Sequence, residues 1–467
     1  MTASLGGWAV GSIVVVLLVT LPAWLAGDPI GTVRTFAGTL CAAVIVYSAI
    51  RLAMLVVAGR AAYMAFVFWT FVYVWFGLSA FLQLSVGDFP RRTNFIGSTY
   101  SAGLLWRAEA VVIIGCIGYE VGYRLKPRLR IGALDASTRS LSPRKLVIAC
   151  WVAIGLAVLY LALVGAALFT SRTDLGRMGF DKQLKTVLFA VGAIAAWCIG
   201  PNGSMRWRTN RHARRYLFAA TIVLTLLVCN PVTTQRGLAG AVYGSVLLAL
   251  VDVRSRRAIR VVTITILVGT ILVFPALDVF RGASSSRYDK VIQTGDVFQP
   301  LRETSGNYAM YTEVADGVDY VDKFGHTDGK HLLATTFVFV PRSIWHGKAD
   351  NLANSVTRQL GYPAYFNFAS PLWMEFYVEG GMPLLFVGFV VFGHLSSRLD
   401  TSMRRQPVSS AYLAALTPAL ASFQLYLLRG PLQTTAALCG LTILVSWLTF
   451  PRLRRRGAAA LPSPTSS

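Results

Sequence analysis

Two short stretches hold most of the side chains that could do acid–base or anion chemistry. One reads Pro341-Arg342-Ser343-Ile344-Trp345-His346-Gly347-Lys348. The other reads Ser370-Pro371-Leu372-Trp373-Met374-Glu375-Phe376-Tyr377-Val378-Glu379-Gly380-Gly381. The acids and bases in and around them are Asp278, Asp319, His326, His331, His346, Glu375 and Glu379. An attacking hydroxyl needs a base within hydrogen-bond reach, and a leaving group that gathers negative charge needs fixed cations. Glu375 ranks first as the base, His346 second and Asp278 third. Glu375 and Glu379 share a helix face at i,i+4 spacing, where like charges raise the pKa of one partner. Either could instead only complement a helix dipole, and Asp278 could form a structural pair with Arg281. Trp345, Trp373 and Tyr377 offer flat rings for stacking on a ligand, and the indoles equally suit anchoring in a headgroup layer. The histidines lack zinc-like spacing, so no metal and no other cofactor is expected.

The elements that must position these residues are membrane spans. The chain has 467 residues, 55% hydrophobic and 14% charged, with mean hydropathy +0.56, against about 25% charged for a soluble domain. A span needs about 20 apolar residues. Twelve candidates follow: Gly7–Ala26, Phe36–Ala58, Ala61–Leu84, Ala108–Tyr123, Leu146–Phe169, Val187–Gly200, Tyr216–Cys229, Leu238–Val251, Val261–Phe280, Met374–Leu395, Ala411–Leu428 and Leu432–Phe450. The expected architecture is one all-α polytopic membrane domain over 1–467, with a large loop at 281–373 between spans nine and ten. The first apolar run lacks a charged leader and a clear cleavage site, so it reads as a retained span. The six cysteines lie in apolar runs and read as small core residues.

The net charge of +23 comes mostly from arginines in short loops. With twelve spans, Arg60, the Arg124–Arg130 cluster, Arg206–Arg215, Arg254–Arg260, Arg398–Arg405 and the tail all fall on one side. Excess Lys/Arg marks the cytoplasmic side, which places both termini inside and the long loop outside. This explains the charge without nucleic acid, which is not an expected partner. It also singles out the cations left outside: Arg91, Arg92, Arg172, Arg177, Arg236, Arg281, Arg342, Lys348, Arg358 and Arg429. Each alone could snorkel; together they suggest an anionic ligand, and the Arg fork suits phosphate oxygens.

Within the loop, Asn307–Tyr320 patterns as a short amphipathic helix with Glu313 and Asp316 on the exposed face. Leu332–Val340 is too short to span and reads as re-entrant or interfacial. A loop of this length is functional or disordered, and this one is too aromatic for disorder.

At these residues the chain resembles the bacterial O-antigen polymerases, which lengthen lipid-linked polysaccharide. The similar pieces are Asn230-Pro231 with Arg236, Phe274-Pro275-Ala276-Leu277-Asp278-Val279-Phe280-Arg281, Val340-Pro341-Arg342-Ser343-Ile344-Trp345 with Lys348, Ser370 with Glu375, Tyr377 and Gly381, and Leu428-Arg429-Gly430. They cover roughly 216–432. His346 and Ala349 stand where the family usually has Pro. The resemblance implies a fold like the lipid-sugar transferases of the GT-C group. It implies glycosyl transfer at the outer face of the cytoplasmic membrane, from a glycan on undecaprenyl pyrophosphate to a lipid-linked repeat unit, with inversion. Arg236, Arg281, Arg342, Lys348 and Arg429 would hold the pyrophosphate. The bilayer and a chain-length regulator are the further implied partners. A ligase joining finished glycan to another acceptor would use the same architecture. A flippase would place charges along its spans and lack the long loop.

Overall fold

The structure, a computed structural model, describes residues 5–87, 89–125, 141–165, 181–202, 211–231, 234–273, 275, 298, 301, 308–363, 366, 368–405 and 411–450. Every regular element among them is helical. In chain order these are α1 (Leu5–Leu25), α2 (Pro29–Arg34), α3 (Phe36–Ala58), α4 (Tyr63–Phe71), a π-helical stretch (Val72–Leu78), α5 (Ser79–Val86), α6 (Pro90–Ile96), α7 (Ala102–Arg124), α8 (Pro143–Val164) and α9 (Asp181–Ile199). Then come α10 (Arg211–Val228), α11 (Arg236–Leu250), α12 (Arg256–Val268) with a π-helical end (Gly269–Val273), α13 (Met310–Phe324), α14 (Lys330–Thr336), α15 (Leu352–Leu360), α16 (Leu372–Arg405), α17 (Ala411–Arg429) and α18 (Leu432–Thr449).

Eight of these are long and apolar enough to cross a membrane: α1, α3, the continuous α4–α5 rod, α7, α8, α9, α16 and α18. This is the architecture of a polytopic helical membrane protein. The other four spans expected from sequence fall on α10, α11, α12 and α17, which are helices that do not combine that length with that apolarity. Basic first turns account for two of them, since α10 and α12 open on arginines.

The aromatic-rich third span is the centre of the bundle, buried along its whole apolar window. Phe68, Phe71 and Phe76 pack around Trp373 of α16. A π-helical stretch leaves carbonyls poorly matched within the helix. Here the Cys41 thiol of α3 donates to the Phe76 and Gly77 carbonyls, both at 3.5 Å. None of the six cysteines is in a disulfide.

The ends of the helices sort by charge. At one end Asp400 of α16 accepts from the Met64 and Ala65 amides (2.9 and 3.2 Å), capping α4, and from the Tyr123 hydroxyl at the end of α7 (2.8 Å). Arg260 donates to the Val56 and Val57 carbonyls that close α3 (3.2 and 2.8 Å). The Ser142 amide donates to the Thr449 carbonyl, joining the start of α8 to the end of α18. Arg60, Arg124, Arg254–Arg260 and Arg398–Arg404 cluster about this end. The opposite end is built by α6, α13, α14 and α15. Ser79 and Gln83 of α5 fix it by donating to the Tyr308 carbonyl (3.0 and 2.9 Å).

Candidate functional site

The helix α16 positions the centre. Its sequence Glu379-Gly380-Gly381-Met382-Pro383 cannot continue a regular helix, because Pro383 has no N–H to give the Glu379 carbonyl. The backbone leaves helical geometry at Gly380 and Gly381. Gly381 sits at φ 67°, and a Cβ there would lie 3.2 Å from the His326 ring. The carbonyls released by the break are taken up by the preceding loop. The Thr327 amide donates to Val378 O at 3.0 Å and the Gly329 amide to Glu379 O at 3.2 Å.

That docking lays α14 against Glu379. The His331 Nδ1 lies 2.7 Å from Glu379 Oε1, and the His331 amide donates to Oε2 at 3.3 Å. On the far side of the ring, Nε2 lies 3.2 Å from the Ser355 hydroxyl of α15. Both dyad members are buried, at 8% and 1% exposure, while Ser355 is half-buried. A carboxylate on Nδ1 holds the proton there and leaves Nε2 as the acceptor. The arrangement is an oriented base facing a hydroxyl. On the same segment Leu333, Phe337, Phe339 and Ile344 are exposed, Phe339 at 76%. The expected interfacial run is thus a short helix and turns, carrying an apolar edge beside the base.

The run Pro341–Lys348 folds as a compact turn on the end of α14. Lys348 is buried and donates to the Phe337, Val338 and Val340 carbonyls at 3.0, 2.9 and 3.0 Å. An ammonium has three N–H donors, so Lys348 closes the loop in place of the phosphate contact expected of it. Arg342 is exposed and pairs with Asp350 at 2.6 Å; Arg358 reaches the same carboxylate at 3.4 Å. Two cations thus share one anion. His346 is exposed on the turn and Trp345 half-exposed.

Two more of the expected site residues are packed inside the bundle. Trp373 is fully buried, donates from Nε1 to Val112 O at 3.0 Å and is enclosed by aromatic rings. No sugar can reach it. Glu375 is buried and accepts from the Leu432 amide at 3.0 Å, capping α18. The first-ranked base therefore complements the dipole of a different helix from its own. Tyr377 is half-buried, its ring 5.9 Å from that of His326. Arg429 ends α17 close enough to Glu313 to act on its charge. Asp278 and Arg281 lie outside the described residues, as does the side chain of Arg236.

The helix α13 also differs from expectation: Glu313 and Asp316 are its buried face. Arg92 pairs with Asp316 at 2.5 Å and Asp319 at 2.6 Å; Arg91 pairs with Glu313 at 3.3 Å. The Tyr100 and Tyr362 hydroxyls donate to Asp316 at 2.9 and 2.8 Å, and the Ala369 amide to Glu313 at 3.1 Å. Burial pushes Glu313 up to about 8, against the pull of Arg91, and raises Asp316 against Arg92. Burial also works to raise Asp319, but hydrogen bonds from Arg92 and Lys323 outweigh it and hold Asp319 below the usual range. Arg92 is thus neutralised inside the protein and Arg91 is held against Glu313, bracing the base of the loop.

Sequence reading named His331 among many and missed its pairing with Glu379. The signal available was the Glu-Gly-Gly-x-Pro break, which marks a helix that must accept outside donors. Among the described residues no group of three or more His, Cys, Asp or Glu could hold a metal ion. Comparison of the chain with protein-family models, with curated proteins and with solved structures finds no match.

Proposed function

We propose that the chain is a membrane glycosyltransferase that polymerises undecaprenyl-pyrophosphate-linked repeat units, with His331, oriented by Glu379, as the base. The observation that carries this reading is one short segment holding both an oriented base and an exposed apolar edge. A lipid-linked sugar needs those two features together, its tail along the bilayer and its hydroxyl at the base. In this reading twelve helices of one GT-C-like domain cross the cytoplasmic membrane, and α13–α15 lie outside. The packing of the arginine-bearing helix ends at one end supports that orientation.

The acceptor hydroxyl takes the place of Ser355 at Nε2 and gives up its proton there. Its oxygen bonds to the donor's anomeric carbon as the bond to pyrophosphate breaks, inverting the centre. The imidazolium is stabilised by Glu379. Charge gathers on the departing pyrophosphate, for which Arg342 and Arg358 offer two forks against one carboxylate. Arg429, Arg236 and Arg281 are the further cations assigned to it by resemblance. Tyr377 and Trp345 remain as stacking surfaces.

The test is reconstitution of the purified protein with lipid-linked repeat units. A ladder of products is expected. Transfer to a second acceptor alone would make it a ligase, relocation without new bonds a flippase, and either result rejects the polymerase. A chain-length regulator would change the ladder's length without being needed for it.

A further inference from the structure

A second site lies away from the loop, toward the basic end. A cavity of about 410 Å³ opens between α3, α4 with its π-helical continuation, and α7. That is within the range of small-ligand sites. Its walls are apolar, among them Val44, Trp69, Ile113, Ile117 and Val121. From Ile113 to Arg124 the groove runs about 16 Å along α7. Its mouth is charged. Arg51 reaches Glu120 Oε1 at 2.9 Å, and Arg124 reaches the same oxygen at 3.1 Å. Two guanidiniums on one carboxylate leave a net positive charge. The buried Nε of Arg51 and Oε2 of Glu120 have no partner. Arg124 is exposed, and the Tyr47 side chain lines the groove beside it.

We infer that this groove holds an anionic glycerophospholipid whose headgroup carries a hydroxyl, as in phosphatidylglycerol. One acyl chain fills the apolar walls and the phosphate sits on Arg51 and Arg124. A headgroup hydroxyl donates to the unpartnered, buried Oε2 of Glu120 after a small rotation of that carboxylate. Net charge selects against zwitterionic lipids, and the unpaired acceptor selects for a donor. Basic pockets between membrane helices are suited to anionic headgroups. The site stands whether or not the chain transfers sugar.

Native mass spectrometry of the detergent-purified full chain tests it, with phosphatidylglycerol, phosphatidic acid and phosphatidylcholine of equal chain length, and glycerophosphoglycerol without tails. Phosphatidylglycerol should be retained best, and Arg124→Gln should weaken it about fivefold. Ile117→Trp, at a surface position lining the groove, should block retention while the arginines stay intact. Glu120→Gln should narrow the gap between phosphatidylglycerol and phosphatidic acid. Equal retention of phosphatidylcholine, no effect of Ile117→Trp, or equal binding of the tail-free headgroup would overturn the assignment. Because Arg124 and Ile117 are both exposed, their variants are expected to fold, and unchanged melting confirms it.

Discussion

At the scale of residues, the decisive pair is His331 and Glu379. His331→Ala is expected to lower turnover by roughly 10²–10⁴, with lipid-linked substrate still bound. Glu379→Gln should lower it less, because the amide oxygen can still accept from Nδ1 and hold the ring in place. Glu375→Gln keeps an acceptor for the Leu432 amide and should keep activity. Glu375→Leu strands that buried donor and should cost about 1–3 kcal/mol of stability. If Glu375→Gln abolished turnover while His331→Ala did not, the base would be Glu375. Glu313 gives a pH test. Its folded pKa, near 8, lies above the usual unfolded value of about 4.3, so the folded state binds the extra proton. Its contribution is complete below the unfolded value and is lost as pH rises through about 8. Melting in detergent should fall over that window, by up to about 1.4 kcal/mol per pH step of one for this group. Glu313→Gln should flatten the slope. Asp319, held low, contributes with the opposite sign, and its share is lost only on acidification below the usual carboxylate range.

At the scale of elements, the break in α16 joins the loop to the bundle. Gly381 is in the left-handed region, and any Cβ added there would meet the His326 ring at 3.2 Å, so Gly381→Ala should cost about 1–3 kcal/mol. It should also reduce turnover by displacing the loop that carries His331. Gly240→Ala on α11, where a Cβ meets nothing within 4 Å, is the control and should leave both unchanged. Lys348→Met leaves three carbonyls without their donor. Faster proteolysis within Pro341–Lys348, ahead of any change in global melting, is the expected result.

At the scale of the molecule, the sorting of charge predicts an orientation. Asn354 on α15 and Arg257 at the start of α12 are both exposed and lie at opposite ends of the bundle. In intact cells a membrane-impermeant maleimide should label Asn354→Cys and not Arg257→Cys. The reverse pattern would move the candidate site to the cytoplasm and remove the proposed substrate.

The sequence by itself determined the helical class and the position of every long apolar helix, because hydrocarbon forces backbone polar groups to bond within a segment and the pattern is local. It also marked the loop where acids, bases and cations gather. The partners were decided only in three dimensions. Glu375 and Trp373 carry the same signatures whether they line a cleft or cap and fill a core, and only packing against α18 and the α4–α5 rod made them structural. Glu313 and Asp316 pattern as solvated, but Arg91 and Arg92, more than 200 residues away in sequence, allow their burial. His331 and Glu379 are 48 residues apart, and their meeting depends on carbonyls that exist as free acceptors only once α16 has broken at Gly380 and Gly381.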